Sequence, residues 1–129
     1  MTPETTTRDN SRFKILVVDD DPSVLSTYRR LLSRSGYTTI TEGDPCRLLS
    51  SGDLDPRVDL LVLDYKMPGM DGLTFLAELR RRQCSARCIL ISAYLNAEVR
   101  ARAQDLGVDE LLEKPVDVAL LRRRIAELL

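Results

Sequence analysis

Apolar and polar positions fall into two kinds of block along this chain, and the two kinds take turns. Continuous apolar runs at Phe13 to Val18, Val58 to Leu63 and Arg87 to Ser92 predict strands buried on both faces, as in a parallel sheet. Helical spacing intervenes. Val24, Leu25, Tyr28, Leu31 and Leu32 form one apolar stripe. Asp21-Pro22 opens that helix, because aspartate accepts from the first free N–H groups and proline fits the first helical position. Gly36 closes it. Tyr37 to Thr41 is short, β-branched and partly polar, as an edge strand would be. Asp44-Pro45 opens a second helix ending near Gly52. Asp71 caps a third, with Leu73, Phe75, Leu76 and Leu79 turned inward. Asn96 starts a fourth, closed by Gly107, whose stripe of Val99, Ala103 and Leu106 is thin. Glu110 to Leu112 is a short fifth strand. Asp117 caps the last helix, where Val118, Leu121, Ile125 and Leu128 share a face. Strand–helix alternation with short connections predicts an α/β fold: one domain over residues 13–129, a parallel sheet with helices on both faces.

Composition narrows the function. The 129 residues are 43% hydrophobic, enough for one packed core. A net charge of −1 gives no global field toward nucleic acid or an anionic membrane. No apolar run approaches the ~20 residues of a membrane span. Met1 to Arg12 is polar, lacks the apolar stretch of a signal peptide, and is expected to be a flexible tail. Histidine is absent, which removes serine–histidine and cysteine–histidine catalysis. Cys46, Cys84 and Cys88 are odd in number and irregularly spaced, which suits a reducing, cytoplasmic setting better than a disulfide framework. Clusters such as Arg29-Arg30, Arg80 to Arg82 and Arg122 to Arg124 are expected on solvated helix faces.

The candidate chemistry gathers at strand ends, where an open α/β sheet places its ligands. Val17-Val18 runs into Asp19-Asp20-Asp21, Leu63 into Asp64-Tyr65-Lys66-Met67-Pro68-Gly69-Met70-Asp71-Gly72, and Leu112 into Glu113-Lys114-Pro115. Clustered carboxylates repel one another, and a hard cation relieves the repulsion. Asp64 is a candidate nucleophile toward phosphorus, since Asp71 already serves the following helix. Lys114 can bring a compact positive charge to phosphoryl oxygens. Ser92, ending the fourth strand, can donate a hydroxyl hydrogen bond to them.

These motifs, with Ser92-Ala93 and Lys114-Pro115 in the same order, resemble the receiver domain of two-component response regulators over Phe13 to Leu129. The resemblance implies a flavodoxin-like sheet of order 2-1-3-4-5. It implies that Asp64 takes a phosphoryl group from a sensor histidine kinase or phosphotransfer protein. Asp19, Asp20, Asp64 and the Lys66 carbonyl would hold Mg²⁺, while Ser92 and Lys114 would bind the phosphoryl oxygens. The fourth helix, fifth strand and fifth helix would form the face toward an output domain, a downstream protein or a second copy. Arg100, Arg102 and Arg122 to Arg124 are its candidate contacts. The domain itself would touch neither nucleic acid nor membrane, and would not be an enzyme beyond assisting its own phosphorylation and slow dephosphorylation.

Departures from the family pattern are visible. Leu111 stands where many receivers carry an aromatic switch residue, and Val116 where phenylalanine is frequent. Lys66 and Tyr94 occupy the variable positions flanking the phosphoryl site. Two other readings use the same residues: a phosphorylation-independent interaction module on this fold, or an aspartyl-phosphate phosphatase built around Asp19-x-Asp21. The first is disfavoured because every acid and the lysine are kept. The second leaves the Asp64 motif unexplained and lacks a late acidic pair.

Overall fold

The computed structural model describes residues 9–55 and 57–129. Ten elements alternate: β1 (Lys14–Val18), α1 (Pro22–Arg34), β2 (Thr38–Glu42), α2 (Pro45–Ser51), β3 (Leu60–Asp64), α3 (Gly72–Arg81), β4 (Arg87–Ser92), α4 (Ala97–Asp105), β5 (Glu110–Glu113) and α5 (Val118–Leu128). All strands are parallel, in the order β2-β1-β3-β4-β5. The sheet, its strand order and its five helices are as the sequence implied, with β3 at the centre and β2 at an edge. For the expected tail over Met1 to Arg12, residues 1–8 lie outside the described residues. Asn10, beyond them, donates its side-chain amide to the Ser35 carbonyl at 2.7 Å.

Each predicted cap is used. The side chains of Asp21, Asp44, Asp71, Asn96 and Asp117 accept from the N–H groups of Ser23, Arg47, Thr74, Val99 and Ala119. Each satisfies a donor that the first helical turn leaves free.

Two strand starts differ from the apolar pattern. The Tyr37 N–H bonds back to the Leu32 carbonyl of α1, so β2 begins at Thr38. Val58 is buried, yet β3 begins at Leu60. Asp59 intervenes, and its carboxylate takes the Lys14 N–H at 2.8 Å in place of a strand rung.

Alternation along the strands divides the core. Ile15, Val17, Leu60, Val62, Ile89 and Ile91 face α1 and α5 through Tyr28, Leu32, Leu121 and Ile125. Leu16, Val18, Leu61, Leu63, Cys88 and Leu90 face α2, α3 and α4 through Leu48, Leu73, Phe75, Leu76 and Val99. Leu111 of β5 is partly buried against this second cluster. On α4 only Val99 and Ala103 are buried, as its thin stripe predicted.

Arg80 is not part of a solvated face. Its guanidinium donates to the carbonyls of Cys84, Ala86 and Leu106 at 3.0, 2.8 and 3.1 Å, closing the far ends of α3 and α4 together.

Gly72 sets how closely α3 approaches the end of β3. Its N–H donates to the Tyr65 carbonyl at 2.7 Å. A Cβ there would lie 2.3 Å from the Asp64 carbonyl oxygen, a backbone atom with no rotamer to change. Gly72→Ala therefore has to push α3 away from the strand end that carries Asp64. It should destabilise the fold by about 1–3 kcal/mol, the usual cost of forcing atoms into a packed interior. A lower urea midpoint at unchanged m-value is the expected result. An unaltered midpoint would show that the close approach is not a constraint.

Candidate functional site

The crossover from the β2 side of β1 to its β3 side makes β1 and β3 neighbours, and their carboxyl ends hold the acids. This is the switch point at which open α/β sheets form a crevice. Asp19 and Asp20 follow β1; Asp64 is the last residue of β3. One carboxylate oxygen from each of the three lies within 4.8 Å of the others. Asp19 and Asp64 are each only 4% exposed, while Asp20 faces solvent. Asp21 stands apart, its carboxylate spent on Ser23 at the start of α1. Asp19 Oδ1 accepts the Asp21 N–H at 2.9 Å.

Lys114, following β5, reaches across β4 to the centre. Its Nζ lies 3.0 Å from Asp64 Oδ1. The approach is not aligned as a hydrogen bond, so Oδ1 is buried with an ionic partner and no bonded donor. The Lys114–Pro115 peptide is cis.

Ser92 is 2% exposed at the end of β4. Its hydroxyl donates to the Tyr94 carbonyl at 3.0 Å and accepts the Tyr94 N–H at 2.9 Å. The hydroxyl is therefore held by its own loop. Lys66 lies in the β3–α3 loop, two residues past Asp64, with its side chain exposed. The structure thus brings Asp19, Asp20, Asp64 and Lys114 into one cluster, with Ser92 at the neighbouring end of β4 and the Lys66 backbone on the β3–α3 loop.

Electrostatics follow from burial. Burial pushes the Asp19 carboxyl up to about 6, helped by the charge of Asp64 and opposed by the Asp21 N–H. Burial also raises Asp64, and the contact with Lys114 offsets only part of that. Burial works against the charge on Lys114, but the close contact with Asp64 and the fields of Asp64, Asp19 and Asp20 outweigh it and hold the ammonium above its ordinary pKa. Lys114 lowers Asp64 and Asp64 raises Lys114, so each favours the other's charged form, although burial still leaves Asp64 above its ordinary value.

One neighbour went unread in the sequence. Tyr28 belongs to the apolar stripe of α1, yet its phenol is raised by burial and then by the fields of Asp19 and Asp64. Its spacing assigns it to the core. Its nearness to the acids depends on how α1 lies across the sheet.

An all-oxygen donor set of this kind fits a hard divalent cation. Two buried carboxylates and one exposed one carry more negative charge than Lys114 can neutralise, and Asp64 Oδ1 lacks a hydrogen bond.

Comparison with known proteins agrees with this arrangement. A model of the response regulator receiver domain matches residues 15–126. The transcriptional regulatory protein PrrA of Mycobacterium bovis is 34% identical over 116 residues, which are 90% of this chain and 49% of that protein. The chain thus spans about half the length of such curated relatives. A CheY-like response regulator receiver domain protein from Methanospirillum hungatei superposes with a TM-score of 0.81 at 25% identity, over 91% of this chain and 93% of that one. The response regulator TrrA from Thermotoga maritima, solved in complex with Mg²⁺–BeF, gives a TM-score of 0.73 at 31% identity, over 91% and 99%. The chain belongs to the receiver domain family of two-component response regulators.

Proposed function

We propose that Asp64 is the phosphoacceptor of a Mg²⁺-dependent signalling switch. The observation that carries this reading is the state of Asp64: a buried carboxylate at the crevice, with an unbonded oxygen 3.0 Å from Lys114. A carboxylate oxygen attacks phosphorus, the bond from phosphorus to the donor imidazole nitrogen breaks, and the imidazole leaves with a proton from solvent. Asp19, Asp20, Asp64 and the Lys66 carbonyl would hold Mg²⁺, which would supply positive charge to the phosphoryl oxygens and to the acids. TrrA, bound to Mg²⁺ and a beryllofluoride, supports this assignment.

Lys114 exchanges its contact with Asp64 for one with a phosphoryl oxygen. Ser92 can do likewise only by releasing the Tyr94 carbonyl, so the β4–α4 loop answers the event. That loop leads into α4, the helix with the thinnest buried stripe, and low packing is where local opening concentrates. The α4–β5–α5 face serves the output, with Leu111 giving a response unlike that of an aromatic there. The phosphodonor is a sensor histidine kinase or phosphotransfer protein. The domain assists its own phosphorylation and slow hydrolysis. Free Cys46, Cys84 and Cys88 suit the cytoplasm. Among the described residues no helix is long and apolar enough to cross a membrane.

Incubation with acetyl phosphate and Mg²⁺ should add one phosphoryl group, seen by intact mass and lost at alkaline pH as an acyl phosphate is. Asp64→Asn should abolish the adduct. Undiminished labelling of that variant would refute the assignment.

The metal can be tested through pH. The folded pKa of Asp19 lies above its unfolded value, so the cation-free fold takes up a proton that the unfolded chain does not. Its contribution to stability therefore falls as pH rises from about 4 through 6. A cation needs the charged carboxylate, so Mg²⁺ should restore stability above pH 6 and do little at pH 5. At a hundred times its Kd, Mg²⁺ should add about 2.7 kcal/mol at pH 7.5. Asp20→Asn should lose most of that gain. A melting temperature indifferent to Mg²⁺ at pH 7.5 would count against the site.

A further inference from the structure

Helix α4 is held to the rest of the molecule by little apolar contact, since only Val99 and Ala103 are buried on it. Two arginines add polar contacts, one from each of two neighbouring helices. Arg80, near the end of α3, donates its Nε–H to the Leu106 carbonyl at 3.1 Å, just past the end of α4. Its Nη1 is fixed by the carbonyls of Cys84 and Ala86 at 3.0 and 2.8 Å. Arg102, one turn before Leu106, reaches the other end of α3. Its Nη1 lies 3.4 Å from Asp71 Oδ2, and its Nη2 lies 3.4 Å from Thr74 Oγ1. Among the described residues no other side chain of α4 forms an ion pair.

Asp71 uses both of its oxygens. Oδ1 accepts the Thr74 N–H at 2.7 Å as the cap of α3, which leaves Oδ2 for Arg102. Burial works against the charge on Asp71, but the bonds from Thr74 and Arg102 outweigh it and hold the carboxyl below its ordinary value. Asp71 also ends the loop that begins at Asp64 and contains Lys66. The Tyr65 N–H donates to the Ile91 carbonyl at 2.8 Å and the Gly72 N–H to the Tyr65 carbonyl at 2.7 Å, so both ends of that loop are tied. The two arginine contacts differ in kind. Arg80 bonds to carbonyls that do not titrate, at short distances. The Arg102–Asp71 pair is longer, and its side chains are 38% and 30% exposed. A pair of that kind opens readily and is screened by salt.

We propose that Arg102 and Asp71 form a latch that holds α4 against the start of α3, with Arg80 as the fixed point when the latch opens. α4 can follow a moving β4–α4 loop only when Arg102 leaves Asp71, so the latch favours the position α4 holds here. An exposed ion pair shifts such an opening about two- to fivefold. That is enough to matter for a helix with two buried side chains. Because Asp71 ends the loop that begins at Asp64, the latch is a second connection between the acid cluster and α4, separate from Ser92. The latch stands on these contacts alone, and its part in signalling rests on the reading of Asp64 as phosphoacceptor.

Amide exchange of α4 in the unmodified full chain reads the latch through a double-mutant cycle. Asp71→Asn keeps a capping oxygen and removes the charge. Arg102→Ala and Asp71→Asn should each speed exchange over Ala97 to Asp105 about two- to fivefold, with α1 and α5 unchanged. The double variant should exchange no faster than Arg102→Ala. Raising NaCl to about 0.5 M should speed α4 exchange in the unaltered chain and not in Arg102→Ala. Arg102→Lys should recover part of the protection, which a loss of packing alone would not explain. Multiplying effects in the double variant, or α4 exchange indifferent to Arg102→Ala, would overturn the latch. With acetyl phosphate and Mg²⁺, Arg102→Ala should gain its adduct faster by a similar factor. An unchanged rate, with the adduct still lost in Asp64→Asn, would remove the latch from signalling and leave the phosphoacceptor reading intact. Undiminished labelling of Asp64→Asn would defeat that reading, while the exchange cycle still decides the latch.

Discussion

The rest of the structure is arranged around the cost of keeping Asp64 charged inside the fold. A carboxylate at the end of the most buried strand loses water on nearly every side, and the loss raises its pKa. Asp19 beside it is in the same position and adds its own charge to the problem. Lys114 answers part of it at 3.0 Å. What remains is an acid cluster with more negative charge than the protein neutralises, and on that surplus the proposed cation site and phosphoryl chemistry rest.

The fold supplies this arrangement without special backbone. Parallel strands with alternating faces put two apolar layers around the sheet, and the change of direction between β2 and β3 leaves a crevice above β1 and β3. Gly72 allows α3 to press on the strand end from below. Charge is then distributed unevenly over a chain that is nearly neutral, with acids gathered at the carboxyl end of the sheet, a concentration that the net charge of −1 hides.

Much of this was legible in the sequence because it is local. Buried strands read as continuous apolar runs, and each helix began at the aspartate or asparagine that caps it. Asp19, Asp20, Asp64 and Lys114 could be placed together because parallel strands bring their carboxyl ends to one edge. The parts that were not legible depend on tertiary placement. Ser92 lies where expected, but the choice of its hydroxyl for Tyr94 is made by a loop conformation. Arg102, a candidate contact on the output face, also meets Asp71, because α4 lies beside the start of α3. Arg122 and Arg124 are two residues apart on one helix and face different neighbours. A helical stripe gives a side, not the partner on it.

Burial raises Asp64, and Lys114 holds back part of that rise. Carbon-13 titration of the aspartate carboxyl groups, without divalent cation, addresses it directly. Asp64 should titrate above the ordinary carboxylate value of 3.8 and Asp19 near 6. Lys114→Met should move Asp64 further upward. Titration of both groups near 3.8, with no response to loss of Lys114, would contradict the account.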